Sequence, residues 1–305
     1  MPCFHPVEMW VHNEKKTDNG KRLVIHSYNH RLCADARLVL RKCGQCSGCR
    51  LQRSAEWATR CMHEASLYKD NCLITLTYSN DHLPADGSLN KHHIQKFLKR
   101  LRKKYGPNIR YYYCGEYGEK FGRPHYHLCL FNFDFKDKTF WRKTDQGFPA
   151  YRSASLETLW PFGQSEIGSV TFESAAYVAR YIMKKVLGKD AAAHYERHTD
   201  SGIVYTIQPE YTDMSRRPGI ASAWFDKFHS DVFPHDYCVI NGRKIPPPKY
   251  YSNRFELLDP LEMEQIKFAR QDNALLHIDN NTPERLIIRE QVHFAKLNRL
   301  TRTLD

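Results

Sequence analysis

The sequence predicts an α+β fold in which helices pack on one face of an antiparallel sheet, with a cysteine-rich segment at the N-terminus and a helical extension at the C-terminus. Three observations predict it. Short β-branched runs flank a glycine-containing turn, apolar stripes at helical spacing separate them without a regular βαβ repeat, and closely spaced cysteines precede both.

From Arg50 to about Tyr68, the residues Leu51, Ala55, Ala58, Met62 and Ala65 recur at helical spacing, with Arg50, Arg53 and Arg60 elsewhere on the cylinder. Cys72 to Tyr78 is short and β-branched, bounded by Asn71 and the Ser79-Asn80-Asp81 turn, and reads as a buried strand. Asn90 has the character of an N-cap for a helix whose apolar stripe is Ile94, Phe97, Leu98, Leu101 and Tyr105, ending at Gly106-Pro107. Ile109 to Glu116 and His125 to Phe133 form an antiparallel hairpin through the turn Tyr117 to Pro124. Phe140 to Gly163 reads as a loop and Glu166 to Phe172 as a strand; Ser174 caps a helix to about Leu187, closed by Gly188. Beyond Lys189 the pattern weakens: Pro246-Pro247-Pro248 reads as a rigid linker, followed by polar amphipathic helices at Pro260 to Gln271 and Thr282 to Leu300. The expected division is residues 1–65, a Cys-rich segment and basic helix, then a core over 66–190 and an accessory region over 191–305.

Lys and Arg outnumber Asp and Glu by 46 to 34 in 305 residues, a formal charge of +12, which favours an acidic partner, nucleic acid above all. A merely basic soluble protein is the plainer alternative. No apolar run approaches the roughly 18 residues of a membrane span, and MPCFHPVEMW lacks the basic and apolar regions of a signal peptide. A cytosolic protein without membrane partners is expected, its ten cysteines reduced or metal-bound rather than disulfide-linked.

Side chains two apart on a strand face the same way, so His125 and His127 project together while Tyr126, Leu128 and Leu130 point to the opposite, buried face. Two imidazoles on one rigid surface make half a metal site, although such a pair also occurs simply hydrogen-bonded on a strand. Glu116 can complete the site across the hairpin, with Glu119 in reserve. One carboxylate and two imidazoles suit Mg²⁺ or Mn²⁺ acting as a Lewis acid on a phosphate oxygen.

At about 100° per residue, Tyr177, Tyr181 and Lys184 share one stripe of their helix, while Val178, Ala179, Ile182, Met183, Val186 and Leu187 fill the other half. The helix packs by its aliphatic side and presents two phenols and an ammonium, the tyrosines about 6 Å apart along the axis. A phenol attacks a phosphodiester once a metal polarises the phosphoryl group and nearby cations stabilise the phenolate; the covalent intermediate conserves the bond energy for resealing. Lys184 is the expected helper, with Arg180 or Lys185 on a neighbouring phosphate. Exposed tyrosines without a chemical role are the alternative.

Cys43, Cys46 and Cys49 have the tight spacing of thiolate ligands, zinc being the usual occupant in a nucleic-acid enzyme, so the N-terminal segment reads as metal-binding. Reduced thiols in a turn, or an iron–sulfur cluster without its usual Cys-Pro partner, are the competing readings.

The His-hydrophobic-His strand followed by a Tyr-x3-Tyr helix resembles the HUH endonucleases, in particular the rolling-circle replication initiators of small circular single-stranded DNA phages. Met-x-Cys-x-x-Pro at the N-terminus, Cys43-Gly44-Gln45-Cys46-Ser47-Gly48-Cys49-Arg50, and Ser215-Arg216-Arg217-Pro218-Gly219-Ile220 bring it closer to the gokushovirus-type microvirus (Microviridae) initiators. Leu73 to Tyr78 is similar to that family's first motif and Gly115-Glu116-Tyr117-Gly118 to the segment ahead of its histidine pair; the likeness covers about Met1 to Phe228. It implies an HUH-like nicking and joining core, a metal-dependent site-specific nick, a 5′-phosphotyrosine link and closure of the displaced circle. His125 and His127 would be metal ligands, Tyr177 and Tyr181 nucleophiles in an order the sequence leaves open, and Glu116 the third ligand, a position that varies among HUH enzymes. Because the family shares an early cysteine, Cys3 is the expected fourth zinc ligand, with Cys33 and Cys61 open. The implied partners are single-stranded DNA, the phage origin, and the host helicase and polymerase, in the cytoplasm of a bacterial host.

For DNA contact the candidates are Arg50 and Arg53, the surface carrying Lys96, Lys99 and Lys103, and Arg216-Arg217, with Trp141, Tyr151 and Trp160 available to stack on bases. Two other readings stand beside the initiator: an HUH transposase or relaxase, and a zinc-stabilised DNA-binding protein without catalysis.

Overall fold

A computed structural model describes residues 3–18, 22–119, 121–144, 147–180, 185–186, 188–199 and 201–298. They divide into two units: the described residues up to Gln52 with those from Asn273 onward, and Arg53–Asp272.

The first unit carries β1 (Val7–Lys16), β2 (Arg22–Ile25), α1 (His30–Cys33) and β3 (Ala36–Arg41), the strands forming an antiparallel sheet in the order β2-β1-β3. This sheet was not anticipated. β1 and β3 are mostly exposed, so they lack the apolar alternation that marks a half-buried strand, and β2 is only four residues long. The helix expected from Arg50 runs instead from Ser47 to Ala65 (α2). Its buried stripe is Ser54, Ala58, Cys61 and Ala65, whereas Leu51, Ala55 and Met62 are only half-buried. The stripe is turned because polar Ser54 points inward to donate to the Ala176 carbonyl, 3.0 Å away.

The second unit is built on β4 (Asn71–Thr77), α3 (Lys91–Tyr105), β5 (Arg110–Tyr117), β6 (Pro124–Phe131), β7 (Thr139–Lys143), β8 (Pro149–Arg152), α4 (Ala154–Leu159), β9 (Ser165–Gly168) and α5 (Phe172–Arg180). After these come α6 (Ala191–Tyr195), β10 (Glu196–His198), β11 (Val204–Thr206), β12 (Tyr211–Met214), α7 (Ser222–Phe228), β13 (Cys238–Ile240), β14 (Arg243–Ile245) and α8 (Lys249–Leu258). Two late helices match the two expected: α9 (Pro260–Leu275), most of which belongs to this unit, and α10 (Pro283–Asn298), which belongs to the first. The main sheet has seven strands in the order β12-β5-β6-β4-β9-β8-β7, and its pairings are antiparallel.

Alternation in β4 buries Cys72, Ile74 and Leu76 on one side with Tyr126, Leu128 and Leu130 of β6. Against that side pack Ile94, Phe97, Leu98 and Leu101 of α3, whose first turn is closed by Asn90 accepting from the His92 and His93 amides. Helices were expected on one face, yet the opposite face is covered as well. Tyr112, Cys114, Cys129 and Phe131 meet α2, α5, α7 and α8 through Ala58, Val178, Phe225 and Tyr251. Both faces are apolar toward one end of these strands, so leaving either open to water would forfeit their burial.

Three local expectations are corrected. Phe140 to Gly163 is no plain loop, since it holds the β7–β8 hairpin and α4. The strand expected to reach Phe172 stops at Gly168, because Thr171 and Ser174 form a capping box that starts α5 at Phe172: each backbone N–H donates to the other's hydroxyl, at 2.8 and 3.1 Å. The proline run is a packed junction, with Pro247 and Pro248 buried and Pro248 leading into α8. Among the described residues no helix is long and apolar enough to cross a membrane.

Candidate metal centre and tyrosine helix

The β5–β6 hairpin sets the site. Gly118 N–H donates to the Arg123 carbonyl at 2.9 Å and Gly122 turns the chain at φ +60°, so Glu116 lies directly opposite His125. His127, two residues on, shares the face. The Nε2 atoms of His125 and His127 lie 2.6 and 3.0 Å from Glu116 Oε1, and the three ligand atoms all fall within 4.8 Å of one another. Glu116 and His127 are buried. Burial pushes the Glu116 carboxyl up, but hydrogen bonds from His125 and His127 outweigh it and hold its pKa down to about 2, so it is a carboxylate at neutral pH.

The outer nitrogens are held too. His125 Nδ1 lies 3.1 Å from the Arg123 carbonyl, which can only accept, so Nδ1 donates there, and Nε2, which donates to Glu116 here, is the nitrogen that would give up its proton to a cation. Thr75 Oγ1 is 3.0 Å from His127 Nδ1. Arg123 in turn grips the end of the neighbouring strand, donating to the Tyr78 carbonyl at 2.9 Å and to Asn80 Oδ1 at 2.7 Å. An anionic oxygen and two oriented imidazoles fit a divalent cation. Among the described residues Glu119 does not join this cluster.

Helix α5 lies over the same face. Val178 and Ala179 are buried as expected, and the Tyr177 ring stands edge-on to His127 with centroids 5.3 Å apart. Tyr181 and Lys184 lie outside the described residues. Arg180 is exposed at the end of α5 and Lys185 is half-buried.

In the first unit Cys3, Cys43, Cys46 and Cys49 converge, their sulfurs within 4.8 Å. Backbone N–H groups are aimed at them: Cys43 donates to Cys3 Sγ at 3.2 Å, Cys46 to Cys43 Sγ at 3.3 Å and Phe4 to Cys46 Sγ at 3.4 Å. Burial pushes the Cys46 thiol up, but the Phe4 and Cys49 amides and the neighbouring thiols bring it down to about 7, while burial pushes Cys49 up to about 12. Four sulfurs with amide donors can hold a metal, and Cys33 and Cys61 are buried outside this cluster.

The expected DNA contacts scatter. Lys96, Lys99 and Lys103 are exposed, but on α3, which covers the face turned away from His125 and His127. Arg216 and Arg217 lie beyond β12, lining an open pocket with Arg102 and Arg110. Arg110 is at the other end of β5 from Glu116, roughly 20 Å away at strand spacing. Arg53 is exposed and Arg50 half-buried. Trp160 cannot stack on a base: it is fully buried and donates its indole N–H to the Thr77 carbonyl at 2.8 Å. Trp141 is exposed and Tyr151 half-buried. Thr75 escaped the sequence reading; its place on the polar side of the alternating β4 was visible, but its partner strand was not.

The antiparallel sheet carries a Glu/His/His cluster beneath a tyrosine-bearing helix, and by sequence the chain belongs to the phage replication-associated proteins. The family described as replication-associated protein ORF2/G2P matches residues 71–186, which include both the triad and the tyrosines. The chain is 34% identical over 228 residues to replication-associated protein VP4 of Bdellovibrio phage phiMH2K, covering 72% of this chain and 68% of that protein. It is 32% identical over 296 residues to replication-associated protein ORF2 of Spiroplasma virus 4, covering 90% and 87%. To replication-associated protein ORF4 of Chlamydia phage 1 it is 38% identical over 238 residues, covering 74% and 55%. No solved structure matches the chain significantly. The likeness to phage replication initiators drawn from the motifs is borne out.

Proposed function

We propose that the protein initiates rolling-circle replication by nicking one strand at the origin of a circular single-stranded DNA phage genome and later rejoining the displaced unit-length strand. The observation that carries this reading is the contact of Tyr177 with His127, which puts a phenol beside a cluster fit for a cation. Bound there by Glu116, His125 and His127, Mg²⁺ or Mn²⁺ supplies charge to polarise a phosphoryl oxygen.

The tyrosine oxygen, having lost its proton, forms a bond to phosphorus while the bond from phosphorus to the 3′ oxygen breaks; that oxygen leaves as a 3′-hydroxyl on taking up a proton. The 5′ end stays linked to the tyrosine, and attack by a 3′-hydroxyl reverses the step without ATP. Tyr177 serves as one nucleophile and Tyr181, four residues on in the sequence, as the second, so that a second cut precedes release of the first end. Lys184 stabilises the phenolate, and Arg180 and Lys185 hold adjoining phosphates. Zn²⁺ on Cys3, Cys43, Cys46 and Cys49 is structural. The host helicase and polymerase would extend the nick in the bacterial cytoplasm.

Mass spectrometry after incubation with origin oligonucleotides and Mn²⁺ tests this. A nucleotide adduct on the peptide holding Tyr177 or Tyr181 is expected. A protein that shifts the DNA yet never forms an adduct is a binding protein only.

A further inference from the structure

Beside His127 the sheet is hollow. A pocket of about 120 Å³ is lined by His127 and Thr75 on one side and by Arg142, Glu166, Gly168 and Ala150 on the other. The register explains it. Thr75 lies opposite both His127 and Glu166, so these three form one row across the face that bears the triad. In the next row Leu73 faces Gly168, and pairing of Tyr151 with Ile167 brings Ala150 alongside. Two residues with almost no side chain leave the floor low. A Cβ built on Gly168 meets nothing closer than Leu73 Cδ2 at 3.9 Å. The β7–β8 hairpin and the residue that caps α5 wall the hollow through Phe148, Pro149 and Thr171.

One charged pair stands at its edge. Arg142 reaches from β7 over β8 to Glu166, its Nη2 at 3.0 and 3.3 Å from the two carboxylate oxygens. Both side chains are partly exposed, so each retains capacity for a further partner.

We infer that this pocket receives one unpaired pyrimidine base of the DNA strand, next to the linkage held at the triad; the inference rests on the nicking function proposed above. At about 120 Å³ the hollow is nearer the apolar cavity of about 150 Å³ that accommodates a benzene than the larger space a fused purine needs, so it suits one ring. The walls are mainly apolar, as a base face requires. Glu166 accepts and Arg142 donates, matching the adjacent donor and acceptor on the pairing edge of cytosine or thymine. That edge is open only in a strand already unpaired, so the pocket favours single-stranded over duplex substrate. Because His127 itself forms part of the wall, a seated base would fix the register of the neighbouring phosphate on the metal ligands.

A random single-stranded oligonucleotide library incubated with Mn²⁺ tests it, by sequencing the DNA that becomes covalently attached. For the wild type, one position close to the cut should favour pyrimidines by roughly 10-fold or more, the scale of one good polar base contact. Gly168→Leu fills the hollow and Glu166→Gln alters its edge; in both, that preference should fall toward one while adducts still form. If Gly168→Leu does not fold, Gly168→Ala, for which there is room, should weaken the preference together with Glu166→Gln. Adducts showing no pyrimidine-restricted position, or one that these variants leave unchanged, overturn the pocket and spare the nicking function. A wild type that forms no adduct with any sequence overturns both.

Discussion

The Tyr177 ring stands at 88° to the His127 imidazole, with centroids 5.3 Å apart. His127 is held on its far side by Thr75 and on its near side by Glu116, so the aromatic contact ties the tyrosine helix to a ligand fixed at both ring nitrogens. Tyr177→Phe keeps this packing and removes only the hydroxyl. DNA affinity and melting temperature should stay close to wild type, whereas closed unit-length circles should no longer appear in a plasmid replication assay. Adding Tyr181→Phe should abolish nicking of supercoiled origin DNA altogether, and residual cleavage in the double variant would exclude both phenols.

Thr75 carries no charge and contacts the centre only through His127 Nδ1. Thr75→Val preserves the shape of the strand but frees the imidazole to rotate. Metal affinity should drop by about 10- to 100-fold, the usual cost of losing such an outer partner. An Mn²⁺ titration of nicking would show the curve moved to higher concentration with its plateau preserved; an unshifted curve means that Thr75 does not orient the ligand.

Glu116 couples folding to pH in the metal-free protein. Its carboxyl is held down to about 2 from an ordinary 4.5. A depressed carboxylate stabilises the fold fully above its unfolded value, and this contribution disappears as pH falls from about 4.5 through 2. Glu116→Gln removes the titrating group. Acid denaturation followed by circular dichroism should lose the Glu116 part of its slope in that interval, so the variant's stability should fall less steeply with acid than the wild type's.

The four-cysteine cluster predicts one zinc per chain after purification under reducing conditions. Cys43→Ser or Cys46→Ser should release it and lower the melting temperature, since metal held only by the folded state adds to its stability. Elemental analysis decides the point: folded wild-type protein without zinc ends the structural role.

Gly163 lies where a side chain has no room. A Cβ there would stand 2.4 Å from both the Ser79 nitrogen and the Thr77 oxygen, and these are backbone atoms that cannot swing away. Gly163→Ala should therefore cost about 1–3 kcal/mol, as overpacking usually does. Thr77 lies opposite His125, so a displaced strand end should also weaken metal binding. Chemical denaturation checks the first effect and the Mn²⁺ titration the second.

Period and turn chemistry alone determined a good deal. His125 and His127 had to share a face because strand side chains alternate, and Glu116 lay within reach because the hairpin is short. Asn90 marked a helix start, and the stripe from Ile94 to Leu101 marked its buried side. These are local properties, set by residues a few positions apart. Tertiary structure alone decided what depends on contact between distant segments. It put helices on both faces of the sheet, turned α2 so that Ser54 rather than Leu51 points inward, and buried Trp160. It brought Cys3 across to Cys43, seated Tyr177 against His127, and set Lys96, Lys99 and Lys103 on the side away from the triad. Strand order and helix docking follow from how separate apolar surfaces cover one another, and a linear pattern records which surfaces are apolar without recording which partner each will meet.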